Sequence, residues 1–174
     1  MRQIIKSAVL VPLYRGGEDE IRLILIRRSD GPVHGGQLAF PGGKREPTDG
    51  SLLETALRET YEETGLPQNS IRILKQLPEQ MTLSTNFSIA PFLASIVPPD
   101  KWICEAGEIE EVLDVPLDRF SALDAHGEEM IRLDPWPEPR LIPFYRVGSY
   151  KLWGASYRIL HPLIPGLLAG QWKI

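Results

Sequence analysis

Three glutamates at helical spacing are the residues of this sequence best suited to chemistry. Glu59, Glu62 and Glu63 stand at positions i, i+3 and i+4, so on a helix they project from one face. Like charges at this spacing destabilise an isolated helix by about 0.2–0.5 kcal/mol per pair. A bound cation would remove that cost, and hard divalent ions such as Mg²⁺ favour oxygen ligands. The alternative is an acidic helix face that is solvated.

The segment that contains these glutamates is the strongest predicted helix of the chain. Ser51 followed by Glu54 is a capping-box pattern that starts it, and Gly65 with Pro67 ends it. Before it, the run Pro41-Gly42-Gly43-Lys44 forces a sharp bend, because glycine tolerates unusual backbone angles and close approach. The inward face of the helix is predicted to hold Leu53, Ala56, Leu57 and Thr60.

Short β-rich runs lie on both sides of this helix. They are residues 7–13, 21–27, 71–76, 90–96, 111–115, 141–147 and 150–153. The first two and the last two predict hairpins. Pro116 suits the start of a short helix, and residues 154–168 are predicted to be helical with a bend at Pro162 and Pro165. Strands on both sides of one helix favour an α+β fold or an α/β/α sandwich over an alternating βαβ sheet.

Length and composition exclude several classes of protein. With 174 residues the chain is predicted to be one domain, residues 1–174. Its 43% hydrophobic and 24% charged residues exclude a disordered, collagen-like or disulfide-scaffold protein. A formal charge of −4 argues against nucleic-acid binding, and no apolar run approaches the roughly 20 residues of a membrane span. The single Cys104 and the lack of a signal-peptide pattern predict a cytoplasmic location.

Residues 42–66, GGKREPTDGSLLETALRETYEETGL, resemble the box of the Nudix hydrolase family, most clearly in RETYEETGL. Counting back from Arg58 at the usual spacing places the first glutamate of the box at Gly50 and its first glycine at Lys44. The loop is therefore one residue longer, and Asp49 and Glu46 are the nearby acids. Four further pieces resemble the coenzyme A diphosphatase branch of that family: AVLVPL, GQLAFPGG, TALRE and YKLWGASYRIL.

The resemblance implies a Nudix-type α/β/α sandwich with a mixed central sheet. It also implies hydrolysis of a diphosphate linkage with Mg²⁺ or Mn²⁺, and it makes Glu59, Glu62 and Glu63 the metal ligands. Gly42, Gly43 and Lys44 would line the phosphate path, although simple turn geometry also explains the glycines.

The same resemblance gives catalytic roles to Glu62, to Arg58 and to an acid of a later loop. Arg58 cannot be a base because its guanidinium stays protonated, so it is expected to hold one of the glutamates, with a direct phosphate contact as the alternative. Glu108 is the preferred loop acid. Glu111 is the competitor, with a structural ion pair as its alternative role, and Glu105 and Glu110 are expected to be solvated.

Coenzyme A or a derivative is the leading substrate by this resemblance, cleaved to 4′-phosphopantetheine and adenosine 3′,5′-bisphosphate. ADP-ribose, nucleotide sugars or dinucleotides would undergo the same chemistry. A non-catalytic nucleotide-sensing module and an interaction domain with a solvated acidic face are alternatives of another class. Expected partners are a small-molecule diphosphate, without nucleic acid or membrane. Residues 160–168 are apolar and could pack on the domain or against a second copy in a homodimer.

A few other side chains have a structural and a functional interpretation. His34 is expected at the surface, with substrate contact as the alternative, whereas His126 and His161 are expected to be structural. Four aromatic residues could stack on an adenine ring, although aromatic side chains more often belong to a core. They are Phe87, Trp102, Tyr145 and Trp153.

Overall fold

The computed structural model describes residues 4–29, 36–83, 85–133 and 136–174; His34 lies outside these ranges. The strands are β1 (Ile5–Arg15), β2 (Ile21–Arg28), β3 (Leu38–Ala39), β4 (Gly42–Lys44), β5 (Ile71–Gln76), β6 (Gln80–Met81), β7 (Phe87–Ile96), β8 (Ile109–Pro116), β9 (His126–Ile131), β10 (Arg140–Val147) and β11 (Tyr150–Trp153). The α-helices are α1 (Leu52–Thr64), α2 (Gly154–Leu160) and α3 (Ile164–Leu168). Short 3₁₀ turns are formed by Gly17–Asp19, Gln68–Ser70 and Leu117–Ser121.

A mixed sheet forms the centre of the fold. Its strand order is β3-β2-β1-β7-β5, while β4 pairs with β1, β6 with β7 and β8 with β2. Strands β1 and β7 run parallel, whereas β1 and β2 form the predicted antiparallel hairpin. Strands β9, β10 and β11 make a second, antiparallel sheet. The second predicted hairpin is β10–β11, and it turns at Gly148.

The two faces of the central sheet are covered by different layers. Because side chains alternate along a strand, Ala8 and Leu10 of β1 pack in a cluster with Ala56 of α1. Val11 and Leu13 of the same strand belong to a second cluster, with residues of α2, α3 and the second sheet. This arrangement confirms the predicted α+β sandwich with a mixed sheet, and it adds a small sheet to one outer layer.

Helix α1 begins and ends as its local sequence predicts. The hydroxyl of Ser51 accepts a hydrogen bond from the Glu54 amide at 3.1 Å, and the Glu54 carboxylate accepts one from the Gly50 amide at 2.9 Å. Gly65 has φ +71°, a left-handed conformation suited to glycine, and its amide donates to the Tyr61 carbonyl.

The inward face of α1 differs in part from the prediction. Ala56 and Thr60 are fully buried, but Leu53 and Leu57 are only half-buried. The buried set of the helix is Thr55, Ala56, Thr60, Glu63 and Thr64. The inner face is therefore more polar than the prediction from leucine spacing, since a carboxylate is among its buried side chains.

The chain after residue 116 is only partly as predicted. Pro116 is followed by a 3₁₀ turn, and the bend at Pro162 separates α2 from α3. Strand β9 was not predicted. Most apolar residues of 160–168 pack on the domain itself, with Leu160 and Leu167 fully buried, whereas Leu168 is exposed. A homodimer stays a prediction. Within the described ranges, no helix is long and apolar enough to cross a membrane.

Candidate active site

A cavity of about 440 Å³ opens beside α1, and its lining includes two chemically different groups of residues, which we call the charged end and the apolar end. Its charged end is lined by Arg28, Gly42, Gly43, Lys44, Glu59, Glu63 and Glu108. Its other end is mostly apolar and includes Leu83, Phe87, Ile89, Leu133, Trp153 and Ile159. The sheet and the bend at β4 bring the predicted glycines, the lysine, two of the three helix glutamates and the loop acid to one place.

Glu63 is the most buried charged group of this site, with 1% of its side chain exposed. One carboxylate oxygen accepts the Gly42 amide at 2.7 Å, and the other accepts the Arg28 guanidinium at 3.2 Å. Burial raises the pKa of Glu63 to about 8; the charge of Arg28 and the Gly42 bond oppose this shift, and the charges of Glu59 and Glu108 add to it. A cation near this carboxyl group would favour its ionised form.

Glu59 lies against the backbone of the glycine bend. A Cβ atom at Gly43 would overlap the carboxyl group of Glu59, so glycine is what allows the side chain this close. Burial raises the pKa of Glu59, and the neighbouring charge of Arg58 opposes the shift. Gly42 has a separate reason to be glycine, since its φ is +148° and a Cβ there would overlap the Ala8 carbonyl of β1. The turn therefore requires glycine at position 42, and the close approach of Glu59 requires it at position 43.

Arg58 connects the glutamates to the preceding loop. Its Nη1 donates to Glu59 and to Glu62, each at 3.0 Å. Its Nη2 donates to the Lys44 carbonyl, and a third group of contacts goes to Asp49. Glu62 is bound to Arg58 outside the cavity lining, and 45% of its side chain is exposed. The structure therefore places two of the three predicted ligands in the cavity and the third on the adjoining surface.

The acids of the later loop separate by position. Glu108 is exposed and lines the cavity. Glu111 lies 3.5 Å from Arg27 and accepts the Tyr150 hydroxyl at 3.4 Å, as its alternative role in an ion pair predicts. Glu110, expected to be solvated, pairs with Arg27 at 2.7 Å although its side chain is half exposed.

The donor set suits a hard divalent cation, because Glu59, Glu63 and Glu108 present carboxylate oxygens to one cavity. In the part of the chain that the structure describes, no three acidic, histidine or cysteine side chains converge closely enough to form a metal site as they stand. Glu59 and Glu62 are both engaged by Arg58. Holding an ion with all three helix glutamates would require these side chains to turn from the guanidinium.

Arg28 is the charged residue that sequence reasoning missed. It lies at the end of β2, where it donates to both the Gly42 carbonyl and Glu63 at 3.2 Å. Its position in the sequence could have indicated a role in the site, because the apolar run of β2 ends in Arg27-Arg28 just before a loop. Functional side chains are common at such strand ends. Of the aromatic candidates, Phe87 and Trp153 line the cavity, whereas Tyr145 and Trp102 pack in the two cores.

Comparisons with known proteins identify the family of this chain. The model of the NUDIX domain matches residues 5–136. A protein of Pectobacterium atrosepticum named uncharacterized Nudix hydrolase NudL is 33% identical over 91% of this chain and 80% of its own length. The protein of the same name from Yersinia enterocolitica is 40% identical over 69% of this chain and 64% of its length.

Solved structures share the fold at lower identity. A MutT/nudix family protein from Enterococcus faecalis has a TM-score of 0.63 and 20% identity, covering 98% of this chain and 63% of that one. An Ap4A hydrolase of C. elegans has a TM-score of 0.55 and 22% identity, covering 68% and 85%. The matched domain model and the identity to the NudL proteins show that this chain belongs to the Nudix hydrolase family and is a pyrophosphohydrolase.

Proposed function

We propose that this enzyme hydrolyses the diphosphate of coenzyme A or a coenzyme A derivative with Mg²⁺ or Mn²⁺. The observation that carries the proposal is the charged end of the cavity, where Glu59, Glu63 and Glu108 face the same space as Arg28 and Lys44. Carboxylates suit a divalent cation, and the two basic side chains suit the anionic oxygens of a diphosphate. A site with both sets can bind a metal–diphosphate complex.

Glu59, Glu62 and Glu63 would hold the cation in this proposal. When bound, a divalent cation supplies charge neutralisation at the diphosphate and makes a water nucleophile available at neutral pH. Glu63 is already fixed by the Gly42 amide. Arg58 keeps Glu59 and Glu62 beside one another before a cation binds, and its role would be to hold them in place until they turn to the cation.

The remaining charged groups act on substrate and water. Arg28 and Lys44 would bind the diphosphate oxygens, with Gly42 and Gly43 giving the phosphates room to approach the backbone. Glu108 would accept the proton of the attacking water, since an exposed carboxylate at the cavity edge can exchange that proton with solvent.

Two segments that resemble the coenzyme A branch support the choice of substrate. Gln37, Leu38, Ala39 and Phe40 of GQLAFPGG line one wall of the cavity. Trp153, Gly154, Ala155 and Ser156 of YKLWGASYRIL line another. These two pieces of sequence are more than 100 residues apart, yet they meet at the same space.

Hydrolysis of a panel of diphosphates tests the proposal. The panel holds coenzyme A, acetyl-coenzyme A, ADP-ribose, NADH, diadenosine polyphosphates and nucleoside triphosphates, each with Mg²⁺, Mn²⁺ or EDTA, and the products are separated by chromatography. We expect metal-dependent release of adenosine 3′,5′-bisphosphate from coenzyme A. Faster cleavage of another compound would keep the chemistry and overturn the substrate. Binding without turnover of any compound would favour the nucleotide-sensing alternative.

A further inference from the structure

One wall of the cavity is a short segment between β6 and the start of β7. This wall segment consists of residues 81–83 and 85–87; its members Thr82, Leu83, Thr85 and Phe87 line the cavity. Two hydrogen bonds join Thr82 and Phe87 within the segment. The Phe87 amide donates to the Thr82 hydroxyl at 3.1 Å, and the Thr82 amide donates to the Phe87 carbonyl at 2.9 Å. Leu83 is exposed, so its position depends on what holds its backbone.

Trp136 holds this segment from one side. Its indole Nε1 donates to the Leu83 carbonyl at 3.1 Å, and 8% of the residue is exposed. Its own amide donates to the carbonyl of Leu133 at 2.7 Å, and Leu133 also lines the cavity. The guanidinium of Arg140 lies 4.6 Å from the centre of the Trp136 ring. Trp136 thus contacts two lining residues, Leu83 through its indole N–H and Leu133 through its backbone amide.

Arg158 holds the segment from the other side. Its guanidinium donates to the carbonyl of Met81, directly before the lining residues. Arg158 is half-buried, and this burial lowers the pKa of its guanidinium. Arg158 belongs to α2, and Ala155, Ser156 and Ile159 of the same helix line the cavity. The helix therefore supplies one wall and ties down the wall segment next to it.

The chemistry of this end differs from that of the charged end. Leu83, Ile89, Leu133 and Ile159 are aliphatic, and Phe87 and Trp153 are aromatic. A surface of this kind is stabilised by covering apolar groups, because the apolar area of both is removed from water. A sugar there would lose water from its hydroxyl groups. The hydroxyls of Thr82 and Thr85 also line the cavity, but they already bond to each other within the wall segment.

We propose that Trp136 and Arg158 are positioning residues for substrate selection. They hold the wall segment so that the cavity prefers a diphosphate ester of a branched aliphatic alcohol over a diphosphate ester of a sugar. The proposal deepens the proposed function, because the pantoyl group next to the diphosphate of coenzyme A carries two methyl groups on one carbon. Neither residue touches the diphosphate in this scheme; each acts through the position of Leu83 and its neighbours.

The matched substrates are dephospho-coenzyme A and ADP-ribose, since both are esters of ADP and differ in the group beyond the diphosphate. We expect kcat/KM of the wild type to favour dephospho-coenzyme A at least tenfold. Trp136→Phe keeps an aromatic ring at this position but removes the indole N–H. Arg158→Gln removes the guanidinium. Each variant should lower that preference at least fivefold. The loss should come from a higher KM for dephospho-coenzyme A, with kcat changed less than twofold. Arg158→Lys should restore most of it.

Arg146→Gln is the matched control, because Arg146 is exposed, stacks on Phe144 and does not line the cavity. It should retain the wild-type preference. Hydrogen exchange of peptides covering residues 81–87 provides a readout that does not depend on turnover. Exchange should be at least fivefold faster in Trp136→Phe and Arg158→Gln than in the wild type or Arg146→Gln. Unchanged exchange in both variants would overturn their positioning role.

Failure of the proposed function is distinguishable from failure of this inference. If the wild type cleaves neither ester, calorimetry in EDTA compares the binding of the same two compounds. A dissociation constant at least tenfold lower for dephospho-coenzyme A supports the apolar preference without any catalysis. Equal binding, or tighter binding of ADP-ribose, overturns it.

Discussion

Asp49 and Arg58 form a two-pronged ion pair that anchors the glycine-rich loop to helix α1. Both Nε and Nη2 of Arg58 donate to the Asp49 carboxylate, each at 2.9 Å. Asp49 is buried, with 6% of its surface exposed, and it also accepts the Thr55 hydroxyl and the Glu46 amide at 2.9 Å. Gly50 occupies the position of the first glutamate of the usual Nudix box, so the preceding aspartate provides a carboxylate to Arg58 here.

Asp49→Asn should destabilise the fold and loosen the positioning of the glutamates. The Arg58 guanidinium holds the pKa of Asp49 well below its usual range, so the ionised form stabilises the native state above pH about 4. We expect the free energy of unfolding at pH 7 to fall by about 2 kcal/mol. The difference from the wild type should shrink as pH falls below 4, because the unfolded chain then binds a proton at Asp49 that the native state, with its lowered pKa, does not bind. Urea titrations at pH 7 and pH 3 measure this.

The control for that experiment is Glu46→Gln, since Glu46 is the other acid of the loop and is exposed. It should leave unfolding at pH 7 within about 0.5 kcal/mol of the wild type. An equal loss in both variants would show that general loop charge, and not the Asp49–Arg58 pair, stabilises this region.

Gly43→Ala should impair catalysis with little loss of stability. The added Cβ overlaps the carboxyl end of Glu59, and a flexible side chain can turn away at small cost. Displacing a ligand by about 1 Å can cost on the order of 100-fold in rate. We expect kcat/KM for the best diphosphate substrate to fall at least tenfold while the melting temperature changes by less than 3 °C or so.

Gly17→Ala is the control for Gly43→Ala, because nothing lies within 4 Å of a Cβ at Gly17. Gly42→Ala gives a contrast, since its Cβ overlaps backbone of β1 and its φ is +148°. That variant should lose stability. Wild-type kinetics in Gly43→Ala would show that the approach of Glu59 to the glycine bend is irrelevant to turnover.

Local sequence was sufficient to predict helix α1 and to select its acids as candidate ligands. The Ser51 cap, the Gly65 end and the i, i+3, i+4 spacing of the glutamates each depend only on residues within one or two helical turns. Glu62 shows the limit of spacing alone, because a shared helix face does not determine which side chains turn into the cavity. The bond from Arg58 to Glu62 and the burial of Glu63 depend on how α1 sits on the sheet.

Contacts between distant segments could not be predicted in the same way. Arg28 reaches Glu63 because β2 ends beside the glycine bend, and the two residues are 35 positions apart. Strand β9, with sequence HGEEMI, has a weak apolar pattern of its own and depends on pairing with β10. Trp136 and Leu83 meet across 53 positions. Each of these relationships is a property of the assembled fold.

Glu62→Gln and Glu63→Gln should each lower turnover by about 100-fold or more while the fold is kept. Glutamine preserves the side-chain volume but removes the charge needed to hold a divalent cation. Steady-state kinetics with the best diphosphate at several Mg²⁺ concentrations measure both variants against Glu138→Gln, an exposed loop residue. Loss in Glu63→Gln with normal rates in Glu62→Gln would remove Glu62 from the ligand set. Near-wild-type rates in both variants would overturn the proposed set of metal ligands.

Stability without divalent cation should fall as pH rises from about 4.5 to about 8. Burial raises the pKa of Glu63 from 4.5 to about 8, so in this range the native state keeps a proton that the unfolded chain has released, and rising pH favours unfolding. Urea titrations in EDTA at pH 5, 6.5 and 8 should show this slope in the wild type and in Glu138→Gln but much less of it in Glu63→Gln. Saturating Mg²⁺ should raise wild-type stability most at pH 8, because a bound cation stabilises the ionised carboxylate. If the free energy of unfolding of Glu63→Gln depends on pH as steeply as that of the wild type, another group causes the dependence.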